Sequence, residues 1–282
     1  MGDIRLDKLL SNFGFGTRSE IRKYVKDGVI KVDGSIINDP SLHVDPENST
    51  IEVNSILLNY RKFIYIIMNK PVGVISATHD NKLKTAIDLL PDEFSCFDLF
   101  PAGRLDIDTE GMLLLTNDGQ LAHNLLSPKR HVPKRYYAIV DGLVTEEDVK
   151  LFQEGIVLDD GYKTMPAELK IIKSGVEGKE YEIIEMGEEI NMTESFGESE
   201  NFNRSEGIME GQFNCGVDFT EIELVLHEGK FHQVKRMVEA IGKKVVYLKR
   251  VQMGGLRLDE TLKPGGCREL TAEELELLKL GQ

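Results

Sequence analysis

The chain has 282 residues, 41% of them hydrophobic and 29% charged, enough for one sizeable core and a small satellite. No apolar run approaches the roughly 18 residues that span a bilayer, residues 1–10 lack a signal-peptide core, and Cys96, Cys215 and Cys267 are scattered, so no membrane span, disulfide framework or zinc site is implied and a cytoplasmic protein is expected. The net charge of −14 does not exclude a nucleic-acid partner, because residues 175–220 alone hold 12 acidic and 2 basic residues and the remainder is close to neutral.

Residues 4 to about 58 read as a compact module. Leu6, Leu9, Leu10 and Phe13 recur at helical spacing and predict a short amphipathic helix, broken by Gly14 and Gly16. Thr17-Arg18-Ser19-Glu20 fits a capping box, with Ile21 and Val25 one turn apart on the face to be buried and Gly28 as the stop. Residues 29–32, an Asp33-Gly34 turn and residues 35–37 predict a hairpin, and Ile51-Glu52-Val53 a further strand. Arg18, Arg22 and Lys26 fall four residues apart beside the apolar stripe of the second helix, and Arg5 and Lys8 extend that basic face from the first. Such a stripe by itself is more often a solvated helix face. The arrangement of two helices and a hairpin, from Arg5-Leu6-Asp7-Lys8-Leu9-Leu10 through Thr17-Arg18-Ser19-Glu20 to Val32-Asp33-Gly34, resembles the S4 RNA-binding domain. That resemblance implies RNA contacts from Arg5, Lys8, Arg18, Arg22 and Lys26.

Tyr60-Arg61-Lys62 reads as a linker between a domain over 1–60 and one over 61–282. A strand over 63–68 runs into Asn69-Lys70-Pro71-Val72-Gly73, where Pro71 lacks a ladder donor and a shaped loop must begin. Residues 101–111 form a polar loop, 112–115 a buried strand closed by Asn117-Asp118-Gly119, and 120–126 a helix. Residues 134–140 alternate as a strand into an Asp141-Gly142 turn, and Thr145 caps a helix reaching Phe152. Residues 220–226 alternate with Ile222, Leu224 and Leu226 on one face. A helix over 231–241 stopped by Gly242, a strand over 245–248 and a terminal helix capped at Thr271 complete the chain. Many strands with few helices predict an α+β fold around a mainly antiparallel sheet. Residues from about 174 to 218 have no sustained period and read as an acidic, flexible insertion between two strands.

The usual phosphate-loop, dinucleotide, zinc-protease and serine-hydrolase motifs are missing, and the six histidines lack metal spacing. No cofactor or metal is expected, and the chemistry falls to carboxylates, bases and positioning. Asp106 leads, in a loop whose glycines allow close approach of backbone and substrate. An isolated aspartate in a polar loop is more often a turn residue or a helix cap. Its surroundings single this one out. The run Gly103-Arg104-Leu105-Asp106-Ile107-Asp108-Thr109-Glu110-Gly111-Met112-Leu113-Leu114-Leu115-Thr116-Asn117-Asp118-Gly119 resembles the catalytic-aspartate motif of RNA pseudouridine synthases. Lys134-Arg135-Tyr136 and Glu228-Gly229-Lys230-Phe231-His232-Gln233-Val234-Lys235-Arg236-Met237 follow in the family's order. With the S4-like segment, the chain resembles the RsuA branch, the small-subunit type of ribosomal RNA pseudouridine synthases, over nearly everything but the acidic insertion.

The resemblance implies an enzyme that isomerises a uridine in ribosomal RNA or a precursor ribosomal particle, as a monomer and away from membranes. The 16S RNA is the expected target, with 23S RNA, or a non-catalytic role in ribosome assembly, as alternatives. Isomerisation breaks N1–C1′, turns the uracil and rejoins it through C5, and needs no reagent from outside. Asp106 would act as nucleophile at C1′ or as a base removing a sugar proton. Lys235 would keep that carboxylate ionised, at a position where many relatives carry arginine. Tyr136 would stack on the flipped base, and Arg104 would fill the space it vacates or grip a phosphate. His232, Gln233 and Arg236 would contact RNA or brace the loop, and Lys70 with Pro71 would shape the wall of the substrate site. The base must leave its stack, while the S4-like segment grips RNA by shape.

Overall fold

A computed structural model describes residues 3–95, 97–176 and 219–280, folded around three sheets. In the N-terminal module, β1 (Ile4–Arg5) leads into α1 (Leu6–Asn12) and α2 (Arg18–Lys26), followed by β2 (Ile30–Val32), β3 (Ser35–Ile36), β4 (His43–Val44), β5 (Ile51–Val53) and β6 (Ile56–Leu57). β1 pairs with β4, and the others form a sheet in the order β3-β2-β5-β6. The predicted capping box is present: Thr17 N–H donates to Glu20 Oε2 at 2.7 Å and Glu20 N–H to Thr17 Oγ1 at 3.3 Å. Ile21 and Val25 pack with Leu6, Leu9 and Leu10. Arg18, Arg22, Lys26 and Lys8 stay exposed. Arg5 is committed elsewhere, donating to both oxygens of buried Asp7 at 3.1 and 2.8 Å. That hydrogen-bonded pair holds the Asp7 carboxyl below its ordinary range.

The segment read as a linker is anchored. Arg61 donates to Glu269 at 2.6 Å and lies over the Phe97 ring, and Lys62 pairs with Glu47 at 2.9 Å. Phe13 of the N-terminal module meets Phe97 edge-on, 5.4 Å between centroids.

The largest sheet takes β7 (Tyr65–Lys70), β8 (Phe100–Pro101), β9 (Glu110–Thr116), β10 (Lys134–Asp141), β11 (Glu168–Val176), β12 (Phe219–Leu226), β13 (Lys244–Met253), β14 (Leu256–Arg257) and β15 (Cys267–Glu269). Its main path runs β11-β12-β10-β13-β9-β7-β15, and every pairing is antiparallel except β13 with β9. Leu113 and Leu115 face a core shared with α4 (Glu146–Glu154) and α5 (Gln233–Ala240); Met112 and Leu114 face one shared with α3 (Gly119–Leu126) and α6 (Ala272–Leu280). The unbroken apolar run is therefore a strand covered on both faces. Among the described residues, no helix is long and apolar enough to cross a membrane.

Some boundaries move. The strand expected over 63–68 lies at Tyr65–Lys70, so Lys70 belongs to the ladder. The strand expected over 245–248 lies in the first half of a ten-residue β13. Polar Lys249, Arg250 and Gln252 hid its second half, which pairing with β10 sustains as far as Met253. The helix expected from 231 starts at Gln233, because His232 adopts the left-handed conformation (φ 47°, ψ 33°). β11 runs on to Val176, inside the expected insertion, and pairs antiparallel with β12. Residues 177–218 of that insertion lie outside the described residues.

Candidate active site

Residues 102–109 connect β8 to β9, and the loop is tied down along its length. Ser76 Oγ donates to Leu105 O and accepts from Leu105 N–H, both at 3.0 Å. Gly73 N–H donates to Ile107 O at 2.8 Å, and Thr109 N–H closes a turn onto Asp106 O at 3.1 Å. Lys70 ends β7 directly beneath, fully buried, its Nζ donating to Pro71 O and Thr109 O at 2.9 Å and to Ile107 O at 3.4 Å. Burial pushes its pKa down to about 8, against the pull of Asp108, Asp106 and Glu110. The expectation that Lys70 lines the substrate site is thereby corrected: it has no exposed surface, and three carbonyls saturate its three protons.

Across the sheet, the parallel pairing of β13 with β9 sets Arg250 beside Gly111. Gly111 has φ +101°, and a Cβ there would stand 2.3 Å from Arg250 O, so only glycine lets the two strands meet. Arg250 is 2% exposed and donates from Nε to Met112 O at 2.8 Å. Arg250 thus anchors the start of β9, where the loop ends, from the polar half of β13 that strand periodicity does not signal.

So held, Asp106 meets the segment that leads from β12 into α5. Its Oδ2 lies 3.4 Å from Lys235 Nζ, and its Oδ1 lies 3.6 Å from His232 Nε2. Lys235 is shared between two carboxylates, because its Nζ also donates to both oxygens of Asp108, at 2.6 and 2.7 Å. Asp108 is the primary partner and Asp106 the second. An ammonium is a compact charge that can serve two carboxylates, and the turn between residues 106 and 109 brings both within its reach. Asp108 stands in the motif quoted above without a role assigned to it. Its place two residues beyond Asp106, within a turn, was the available signal.

Tyr136 is nearly buried in the core that holds Leu105 and Val234, paired across the sheet with Leu224 and Arg250. Tyr137 packs instead on Tyr247, centroids 6.0 Å apart. Arg104 is exposed at the rim of the loop. Gln233 is buried, its Nε2 donating to Glu228 Oε1 at 2.7 Å and its Oε1 accepting from Lys230 N–H at 2.8 Å. Glu228, also buried, accepts from Tyr162 OH at 2.7 Å and Met165 N–H at 2.9 Å. Arg236 donates to Asp159 at 2.7 Å and pairs with Asp160 at 2.7 Å. Both Gln233 and Arg236 make bracing contacts: through Glu228, Gln233 ties the loop before α5 to Tyr162 and Met165, and Arg236 ties α5 to Asp159 and Asp160. The brace through Glu228 was not read from the sequence. Among the described residues, no cluster of His, Cys, Asp and Glu has the geometry to hold a metal ion.

The arrangement is a carboxylate on a rigid turn, with an ammonium and an imidazole within 3.6 Å and a nearly buried tyrosine in the adjoining core. It suits chemistry at a carbon or proton near an ionised carboxylate.

Residues 64–240 match the family described as RNA pseudouridylate synthase, and residues 4–49 match the S4 domain. An uncharacterized RNA pseudouridine synthase of Bacillus subtilis, YtzG, is 44% identical over 98% of both chains. The ribosomal small subunit pseudouridine synthase A of Vibrio cholerae is 34% identical, over 96% of this chain and 98% of that one. The ribosomal large subunit pseudouridine synthase B of Bacillus subtilis is 32% identical, over 98% and 95%. A crystal structure of a pseudouridylate synthase superposes with a TM-score of 0.58 at 30% identity, over 98% of this chain and 99% of that one.

Proposed function

This chain belongs to the RNA pseudouridylate synthase family, and from that premise we propose that it converts a uridine of ribosomal RNA to pseudouridine, with 16S RNA as the target. The observation that carries the reading is the Asp106 carboxylate on its pinned turn, 3.4 Å from Lys235 and 3.6 Å from His232. The carboxylate acts at the ribose, by attack on C1′ or by removal of a sugar proton. The N1–C1′ bond breaks, the C5–C1′ bond forms, C5 loses a proton and N1 gains one, so the reaction balances without a further reagent. Tyr136 offers its ring to the extruded uracil, and Arg104 reaches from the rim to the vacated stack or a phosphate. Lys8, Arg18, Arg22 and Lys26 supply phosphate contacts that offset the few kcal/mol of base flipping.

The relatives include enzymes named for either ribosomal subunit, and the choice of 16S RNA rests on Lys230-Phe231-His232-Gln233-Val234-Lys235-Arg236-Met237, which looks most like the small-subunit branch. A pseudouridine map of ribosomal RNA from a deletion strain tests both parts. One 16S pseudouridine should vanish, return with the wild-type gene and stay absent with Asp106→Asn, whose protein still binds RNA. A loss confined to 23S RNA would move the target, and restoration by Asp106→Asn would overturn the catalytic assignment.

A further inference from the structure

We propose that Phe231 is a stacking platform for a nucleobase next to the target uridine, so that the site grips two bases and not one. The inference rests on the reading of Asp106 as the centre of a uridine-modifying site. Phe231 is 75% exposed, the highest value among the large exposed hydrophobic side chains of the described residues. Its ring stacks on the His232 imidazole, 3.8 Å between centroids and 17° from parallel. The same imidazole reaches Asp106 at 3.6 Å. One face of the phenyl ring is therefore backed by a plane that touches the candidate catalytic carboxylate, and the other is open to solvent.

The backbone is arranged to keep it so. His232 holds the left-handed conformation, which is unfavourable for a residue with a Cβ and persists only where neighbours over-determine it. Here they do. Lys230 N–H is held by Gln233, Gln233 by Glu228, and Glu228 by Tyr162 and Met165. Lys230 Nζ sits over the Tyr162 ring at 4.7 Å, which puts a cation beside the aromatic rim. A buried network that fixes a strained turn, and thereby displays an aromatic ring beside the reacting centre, fits a planar ligand. Every nucleobase has a π-face, and a stack of this kind tolerates sequence. A protein partner would want a broader apolar patch than one ring among charged neighbours.

The test uses the full-length protein and its Phe231→Ala, Phe231→Leu and Phe231→Trp variants. Turnover is measured on unmodified 16S and 23S transcripts and on precursor ribosomal particles carrying unmodified RNA, and binding on a stem-loop with 2-aminopurine beside the mapped uridine. Loss of one stack should raise KM about tenfold for Ala and for Leu, with a smaller change in kcat. The 2-aminopurine quenching seen with wild type should disappear with both variants and persist with Trp. A Leu variant with wild-type KM or wild-type quenching overturns the platform. Variants that handle naked RNA normally but fail on precursor particles overturn it in favour of a protein contact. A wild-type protein that makes no pseudouridine on any of these transcripts or particles sinks the underlying reading as well, an outcome distinct from either of the others.

Discussion

Replacing Lys235 by methionine removes the ammonium beside Asp106 and keeps most of the side-chain stem. The lost charge lies 3.4 Å from Asp106 and 2.6 Å from Asp108. Coulomb's law makes the contact with Asp106 worth about 5 kcal/mol at an effective dielectric near 20, and about 1 kcal/mol in bulk water. The Asp106 side chain is 28% exposed and that of Lys235 19%, and Asp108 already takes the shorter contacts. A loss of about 2–3 kcal/mol in transition-state stabilisation follows, or roughly 30- to 160-fold in rate. Two carboxylates would then face each other without their nearest counter-charge. Single-turnover release of tritium from a transcript carrying [5-³H]uridine, at saturating enzyme, reads the chemical step apart from binding. Lys235→Arg should keep most of the activity, since a guanidinium can bridge both carboxylates. A methionine variant within threefold of wild type, or an arginine variant as damaged as methionine, would refute the shared-ammonium argument.

Neutralising Arg18, Arg22 and Lys26 together should flatten the slope of log affinity against log salt by about 2; an unchanged slope would make the stripe a solvated face. Gly111→Ala should lower stability by about 3 kcal/mol or more, roughly 6–12 °C in Tm, because its Cβ would stand 2.3 Å from Arg250 O at a φ of +101°; a melting curve like that of wild type would contradict the close approach. Lys134 is buried with its Nζ on Val132 O, and burial followed by the charge of Arg250 pushes its pKa down to about 8. Because that value lies below the unfolded 10.5, the unfolded chain holds the extra proton between about pH 8 and 10.5, and the burden of this site on stability is lifted as pH rises through that window. Lys134→Met should therefore stabilise the protein by at most about 3 kcal/mol at pH 7, with the gain fading toward pH 10.5. Urea unfolding at the two ends of the window checks this, and a gain that does not change with pH refutes it.

What could be read in advance was local. The Thr17–Glu20 capping box, the Asp33-Gly34 hairpin turn and the alternating residues of β12 each act within a few residues, and each occurs in the structure as expected. The turn between β5 and β6 was not legible, because Asn54 and Ser55 take positive φ without a glycine to signal it. The aspartate loop was legible as a motif, but the burial of Lys70 was not. A lysine after an apolar run reads the same whether its ammonium meets water or three carbonyls. Arg236 reads equally well as a phosphate ligand until Asp159 and Asp160 are brought against it from 76 residues away or more.

By itself, the order of residues determined the two helices of the N-terminal module, the strand-rich α+β character and the position of one aspartate in a glycine-flanked turn. These depend on helical and strand periodicity, on caps and on turn chemistry, all short-range. Only the tertiary structure decided that Lys235 grips Asp108 more closely than Asp106, that Gly111 passes against Arg250 and that Phe231 stands out beside His232. Lys235 and Asp108 are 127 residues apart in the chain. Electrostatic partners at such a separation are chosen by the path of the backbone through the sheet, where a difference of less than 1 Å decides which carboxylate an ammonium serves first.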